Sequence, residues 1–149
     1  MHYHHPEHYE VGREKIREYA DAVKNDAAVY HDEAAAAELG HAALPAPLTF
    51  TSIYGYQAQS AFFANANIGI QDEQIVQVDQ EFKFLKPIKA GDRLHSDVYV
   101  HSVRQAHGTD IIVIKTVLTD DAGDLVQESY TTLAGRSGED GEGFSDGSA

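Results

Sequence analysis

Asp26 and His31 are a carboxylate and an imidazole five positions apart, a pair that could share proton transfers near neutral pH. One position earlier, Asn25 and Tyr30 repeat that spacing with groups of a different kind. An amide does not titrate near neutrality, and a phenol has a pKa near ~10 unless strongly perturbed. Of the nine histidines, four fall within Met1 to Tyr9, and His4 and His8 stand four apart. Pro6 between them disfavours the helix that would align them on one ion, so no metal site is expected. With no cysteine, thiolate nucleophiles, disulfides and Cys-based zinc sites are excluded. No cofactor is expected. The basic residues fall into two groups, Arg13, Lys15, Arg17 and Lys24, then Lys83, Lys86, Lys89 and Arg93. Each group reads either as a solvated face or as a dock for an acidic or phosphorylated carrier.

The elements that must position these groups follow from periodicity. Between Gly12 and Lys24, Ile16, Tyr19, Ala20 and Val23 repeat at three and four, one buried face of a helix ending near Asn25 and Asp26. A short second helix is expected over Glu33 to Leu39, with Asp32 as its N-cap and Gly40 as its left-handed terminator. From Thr49 to Asn65 apolar or small residues occupy nearly every face, which predicts a buried helix, with Pro47 suited to its first position. After Gly69 the period changes to two, in Val76, Val78, Phe82 and Phe84, and further strands are expected at Arg93 to Arg104, Ile111 to Leu118 and Leu125 to Leu133. Ile111 to Ile114 is apolar on both faces and should lie centrally in the sheet.

At 149 residues the chain suits one domain, over 1–136, followed by an acidic Gly/Ser-rich tail over 137–149 whose composition predicts disorder unless a partner holds it. A net charge of −13 argues against nucleic acid. There is no apolar leader or membrane span in the sequence, and a cytoplasmic location is expected. One long buried helix followed by antiparallel strands is an α+β pattern in which the sheet must curl around the helix, the hot-dog arrangement.

Lys86-Pro87-Ile88-Lys89-Ala90-Gly91-Asp92-Arg93-Leu94 resembles a turn found between strands in MaoC-like hydratases. Over nearly its whole length the chain is similar to the HadA-type subunits of mycobacterial (3R)-hydroxyacyl-carrier-protein dehydratases. The resemblance is carried by Tyr9 to Glu18, Ala46 to Phe50, Tyr130 to Arg136 and the Gly-Glu-Asp-Gly-Glu-Gly run. It implies a single hot-dog domain in type II fatty-acid elongation towards mycolic acids. It also implies a catalytic HadB-like hot-dog partner and an acyl carrier protein bearing the (3R)-hydroxyacyl chain. Whether the isolated chain forms a homodimer stays open.

The MaoC-like signature, Gly-Asp-x-Asn-Pro-x-His followed by x-Asp, supplies an Asp and a His for proton transfer. Backbone N–H groups at the start of the central helix hold the thioester oxygen. Laid on this chain without gaps, with Asp32 at its end, the signature puts Asn25 at the Asp position and Tyr30 at the His position. The resemblance therefore implies a non-catalytic subunit that shapes the substrate channel and stabilises the assembly. Leu48 and Thr49 would present amides, while Ser52, Gly55, Ala58 and Ala61 would let an acyl chain pass. The plainer account of those small residues is close helix-to-sheet packing. Sliding the signature by one residue recovers Asp26 and His31, and with them a self-sufficient homodimeric (R)-specific enoyl-thioester hydratase. In structural terms alone, Asp26 would be a turn residue and His31 a solvent-facing neighbour of an N-cap. A hot-dog thioesterase would want a carboxylate near the central helix, and Thr49 to Asn65 contains none.

Overall fold

The computed structural model describes residues 1–65 and 75–136. The proposed tail over 137–149 and the segment around Gly69 lie outside the described residues. The elements run β1 (His2–His4), β2 (Tyr9–Glu10), α1 (Arg13–Ala22), a 3-10 turn (Ala28–Tyr30), α2 (Glu33–Glu38), α3 (Ser52–Asn65), β3 (Ile75–Phe84), β4 (Arg93–Ala106), β5 (Thr109–Thr119) and β6 (Leu125–Arg136). All strand pairs are antiparallel, in the order β1-β4-β5-β6-β3, with β2 also on β4. β5 sits in the middle, as its apolar run required. One face of this sheet carries Val98, Ile112, Ile114 and Leu133 against Ala58 and Phe62 of α3, the hot-dog arrangement. Among the described residues no helix is long and apolar enough to cross a membrane.

Two helix ends are set by short-range hydrogen bonds. At the end of α1 the Lys24 N–H donates to the Asp21 carbonyl and the Asn25 N–H to the Ala20 carbonyl. This is a Schellman closure with Lys24, at φ 57°, in the left-handed position that glycine usually fills. The helix therefore stops at Ala22, three residues before Asn25, where its end was expected. At α2 the Asp32 side chain accepts from the Ala34 N–H at 3.0 Å, and Gly40 at φ 86° closes the other end in the same way.

The central helix departs from expectation at both its start and its surface. It begins at Ser52, so Pro47 is not its first residue. Phe50 N–H donates to Pro47 O and Ser52 N–H to Thr49 O, which makes Leu48 to Thr51 a tight turn feeding the helix. Nor is the helix buried all round. Tyr54, Ala58 and Phe62 face the sheet, while Ser52, Gln57 and Ser60 are exposed and Tyr56 is 73% exposed. The strands at the polar start, β1 and β2, were not legible, because their histidines and acids show no apolar alternation. They are held from outside the segment, with His2 Nε2 and His4 Nδ1 at 2.6 and 3.0 Å from one Asp97 oxygen.

Burial pushes the Tyr54 phenol up to about 12, and its hydroxyl donates to the Glu7 carbonyl at 3.2 Å. An unfolded tyrosine ionises near ~10, so above that pH the unfolded chain loses its proton first and stability falls until about pH 12. Urea midpoints at about pH 9 and about pH 11 should show this fall, reduced in Tyr54→Phe but not abolished, since burial raises Tyr9 as well. At neutral pH, Lys24→Gly should stabilise by roughly 0.5–1 kcal/mol through relief of the left-handed strain. Asp32→Ala should cost about 1 kcal/mol by removing the cap of α2.

Candidate functional site

The residues between α1 and α2 fold as two successive turns. Asn25 accepts the Ala27 N–H on its side-chain oxygen at 3.2 Å, which leads into the 3-10 turn at Ala28–Tyr30. Arg17 Nε donates to the His31 carbonyl at 2.9 Å and ties this segment to α1. The His31 ring then turns back, with Nε2 at 2.9 Å from the Asn25 carbonyl and 3.8 Å from Asp21 Oδ1. Asp26 is exposed, and His31 makes no ion pair with it. The structure does not assemble Asp26 and His31 into a pair.

Tyr30 points the other way. It packs on the core around Ile16, Leu44 and Phe50 and lines a cleft of about 490 Å³. The opposite walls are Pro47 and Leu48 before α3, and Phe84 at the end of β3 with Leu85 to Ile88 after it. Of the four residues at issue between the two helices, only Tyr30 reaches this cleft. Neither Leu48 nor Thr49 has a backbone acceptor for its N–H among the described residues. Leu48 opens onto the cleft, whereas the Thr49 hydroxyl is held 2.6 Å from the Tyr19 hydroxyl.

The four small residues of α3 do not act together. Ser52 and Gly55 line a separate pocket of about 140 Å³ between α3, β3 and β6. Ala58 is fully buried against the sheet and lines neither space, because it shares the stripe of Tyr54 and Phe62. Ala61 is half-buried one position before Phe62. The smaller pocket is polar, with Gln59 Nε2 donating to Thr131 Oγ1 at 3.0 Å and that hydroxyl donating to Gln80 Oε1 at 2.9 Å. Next to it, buried Gln127 and Thr51 bond each other at 2.8 Å. Sequence reasoning missed Gln59, Gln80, Thr131 and Gln127, since β6 carries polar residues on both faces and period two alone does not tell which face meets the helix.

The second basic group is divided by its neighbours. Lys86 pairs with Asp120 and, at 3.7 Å, with Asp124; Lys89 pairs with Asp92 at 3.0 Å and Arg93 with Asp121 at 3.6 Å. The hydrogen bond from Lys86 lowers the Asp120 pKa, and His95 does the same for Asp121. Lys83 stands apart on the outer sheet face, its ammonium 5.3 Å from the Tyr130 ring centre. Among the described residues no three His, Asp or Glu side chains are grouped to hold a metal ion.

A family model for the FAS1-like dehydratase domain region matches residues 1–129. The UPF0336 protein Rv0635 of Mycobacterium tuberculosis is 67% identical over 149 residues, covering 100% of this chain and 94% of that protein. Among solved structures, a chain of the C-terminally truncated HadBC (3R-hydroxyacyl-ACP dehydratase) complex of M. tuberculosis is 47% identical. Its TM-score is 0.85 over 91% of this chain and 95% of that one. A MaoC-like dehydratase is 38% identical at a TM-score of 0.84, matching 93% of this chain and 42% of that longer one. The resemblance read from Tyr9 to Glu18 and from the Lys86-Pro87 turn thus extends over the whole chain, which belongs to the FAS1-like dehydratase family of MaoC-like hot-dog domains.

Proposed function

We propose that this chain is the non-catalytic, channel-shaping subunit of a heteromeric (3R)-hydroxyacyl-thioester dehydratase in type II fatty-acid elongation, of the kind that builds mycolic acids. The observation that carries the reading is the pairing of Tyr30 in the cleft with a His31 ring turned away onto the Asn25 carbonyl. Dehydration breaks a C–H bond at C2 and the C–O bond at C3, with a base taking the proton and an acid delivering one to the departing hydroxyl. A phenol and an amide do neither near neutral pH. In this reading the reactive His and Asp come from a HadB-like hot-dog partner, and the similarity to a chain of a heteromeric HadBC dehydratase complex supports a partner of that fold.

Two surfaces support a partner of that shape. Among the described residues β3 is the last strand of the sheet and exposes Val76 and Val78, and α3 exposes Tyr56. Edge pairing at β3 would continue the sheet and bring a second hot dog over the bare side of α3. The substrate then passes between the two helices, beside Ser52 and Gly55, with the amides of Leu48 and Thr49 at the channel mouth. The carrier is an acidic acyl carrier protein, met by Lys83 with Lys86, Lys89 and Arg93, although the last three share their charge with Asp120, Asp92 and Asp121.

Purified alone, the chain should not hydrate a short enoyl thioester; adding a catalytic hot-dog partner should restore turnover. Within that complex His31→Ala should leave turnover within about twofold, because its ring serves a turn rather than the reaction, whereas loss of an acid–base group costs on the order of 100-fold or more. Turnover by the chain alone that vanishes in His31→Ala would defeat the proposal in favour of the self-sufficient homodimer. Tyr56→Glu, at an exposed position, should leave the fold intact and weaken assembly by about 2 kcal/mol, on the order of thirtyfold in Kd by titration calorimetry.

A further inference from the structure

We infer that His8 and His95 gate the basic surface around Arg93, so that it holds an acidic protein partner when the two imidazoles are protonated and releases it when they are neutral. This rests on the reading that an acidic carrier docks at Lys86, Lys89 and Arg93, and it adds the condition under which that surface is available. Those three cations line a shallow pocket of about 250 Å³ together with three carboxylates, Asp92, Asp120 and Asp121. Each cation is paired with one of them. With Asp124 at 3.7 Å from Lys86 and Glu10 beside His8, the neighbourhood leans negative, and an acidic partner is repelled unless further positive charge is supplied.

The two histidines are placed to supply it. Arg93 and His95 are two apart on β4, so both side chains leave the same face of the strand. They meet one carboxylate, with Arg93 Nε 3.6 Å from Asp121 Oδ2 and His95 Nε2 2.8 Å from Asp121 Oδ1. Asp97, next on that face, is taken by His2 and His4. Asp121 is held in place, because Asp120 Oδ1 accepts the N–H groups of Ala122 and Asp124 at 3.0 and 2.9 Å and closes the turn between β5 and β6. On the other side the His8 ring lies 6.1 Å from the His95 ring, and His8 Nε2 is 3.2 Å from Glu10 Oε1. His8 and His95 are 34% and 33% exposed, so both exchange protons with solvent.

An imidazole is the side chain whose charge ordinarily changes between about pH 5 and 8. While neutral, His95 gives Asp121 one hydrogen bond and leaves the charge of that carboxylate to Arg93. Once protonated, it neutralises Asp121 and frees the Arg93 guanidinium for a carboxylate from outside. Protonated His8 neutralises Glu10 in the same way. Asp121 stays ionised throughout, since the hydrogen bond from His95, with the charges of Arg93 and His8, holds its carboxyl below the usual range. The surface thus loses its negative excess as the rings gain protons. By linkage, an acidic surface that binds there draws protons onto the two rings.

The test is calorimetric titration of the full chain with an acyl carrier protein in its holo form, at about pH 6 and about pH 8, in two buffers of different ionisation enthalpy. Binding about tenfold tighter at the lower pH is expected, with net proton uptake. In the double variant His8→Gln with His95→Gln the two affinities should agree within about twofold and the proton uptake should fall, whereas His2→Gln with His4→Gln should behave as the unaltered chain. Asp121→Asn should bind at the higher pH nearly as tightly as the unaltered chain does at the lower one, because Arg93 then has no carboxylate to serve. A pH dependence that persists in the His8 and His95 double variant would overturn the inference. Equal binding at both pH values would remove the gate and leave the docking reading standing, whereas no binding at the lower pH would remove both. Turnover with a catalytic hot-dog partner is scored separately and bears on the dehydratase-subunit reading.

Discussion

The contact on which the rest of the molecule depends is the stripe Tyr54, Ala58 and Phe62 laid on the inward face of β4, β5 and β6. Those three residues are spaced at four, so they lie one above another on a helix face. Ala58 between two aromatic rings lets the backbone of α3 come close to Val98, Ile112 and Ile114. Only this stripe is covered by the described chain. The opposite flank, with Tyr56, is uncovered among the described residues, so the two sides of the helix differ.

Apolar packing alone would leave α3 free to turn about its own axis. Its setting is fixed by polar contacts on the β6 side, where Thr51 meets Gln127 and Gln59 meets Thr131, which in turn meets Gln80. Such bonds are short and specific inside a low-dielectric interior, and they tolerate few alternatives. The same constraint makes the small pocket polar and leaves the larger cleft, at the start of the helix, as the apolar one. The two spaces therefore differ along the helix: an apolar mouth beside Tyr30 and a hydrogen-bonded flank beside Gln59.

Much of the fold was legible because its signals are local or strictly periodic. The alternation of Phe82 and Phe84 marked β3, and the doubly apolar Ile111 to Ile114 run put β5 in the middle of the sheet. The start of α3 was misread because Pro47 fits a first helical turn equally well as it fits the turn that precedes one. The evenly apolar surface of α3 suggested burial on all sides, although a single chain covers only one of them. At the site, residue type alone told that Asn25 and Tyr30 carry an amide and a phenol rather than a carboxylate and an imidazole. That Ala58 belongs to the core, and that Gln127 and Leu85 border the cleft, could not.

What the sequence determined by itself are features whose partners lie within a few residues: the Asp32 cap on Ala34, the Gly40 terminator and the periods of helix and strand. There the chain chooses its own conformation. Only the tertiary structure decided that Tyr30 enters the cleft while His31 turns back, that Lys86 spends its charge on Asp120, and that β3 is the last strand of the sheet among the described residues. Those outcomes depend on sheet register and on which face of each element meets the next, and no residue carries that information without the neighbours that folding brings to it.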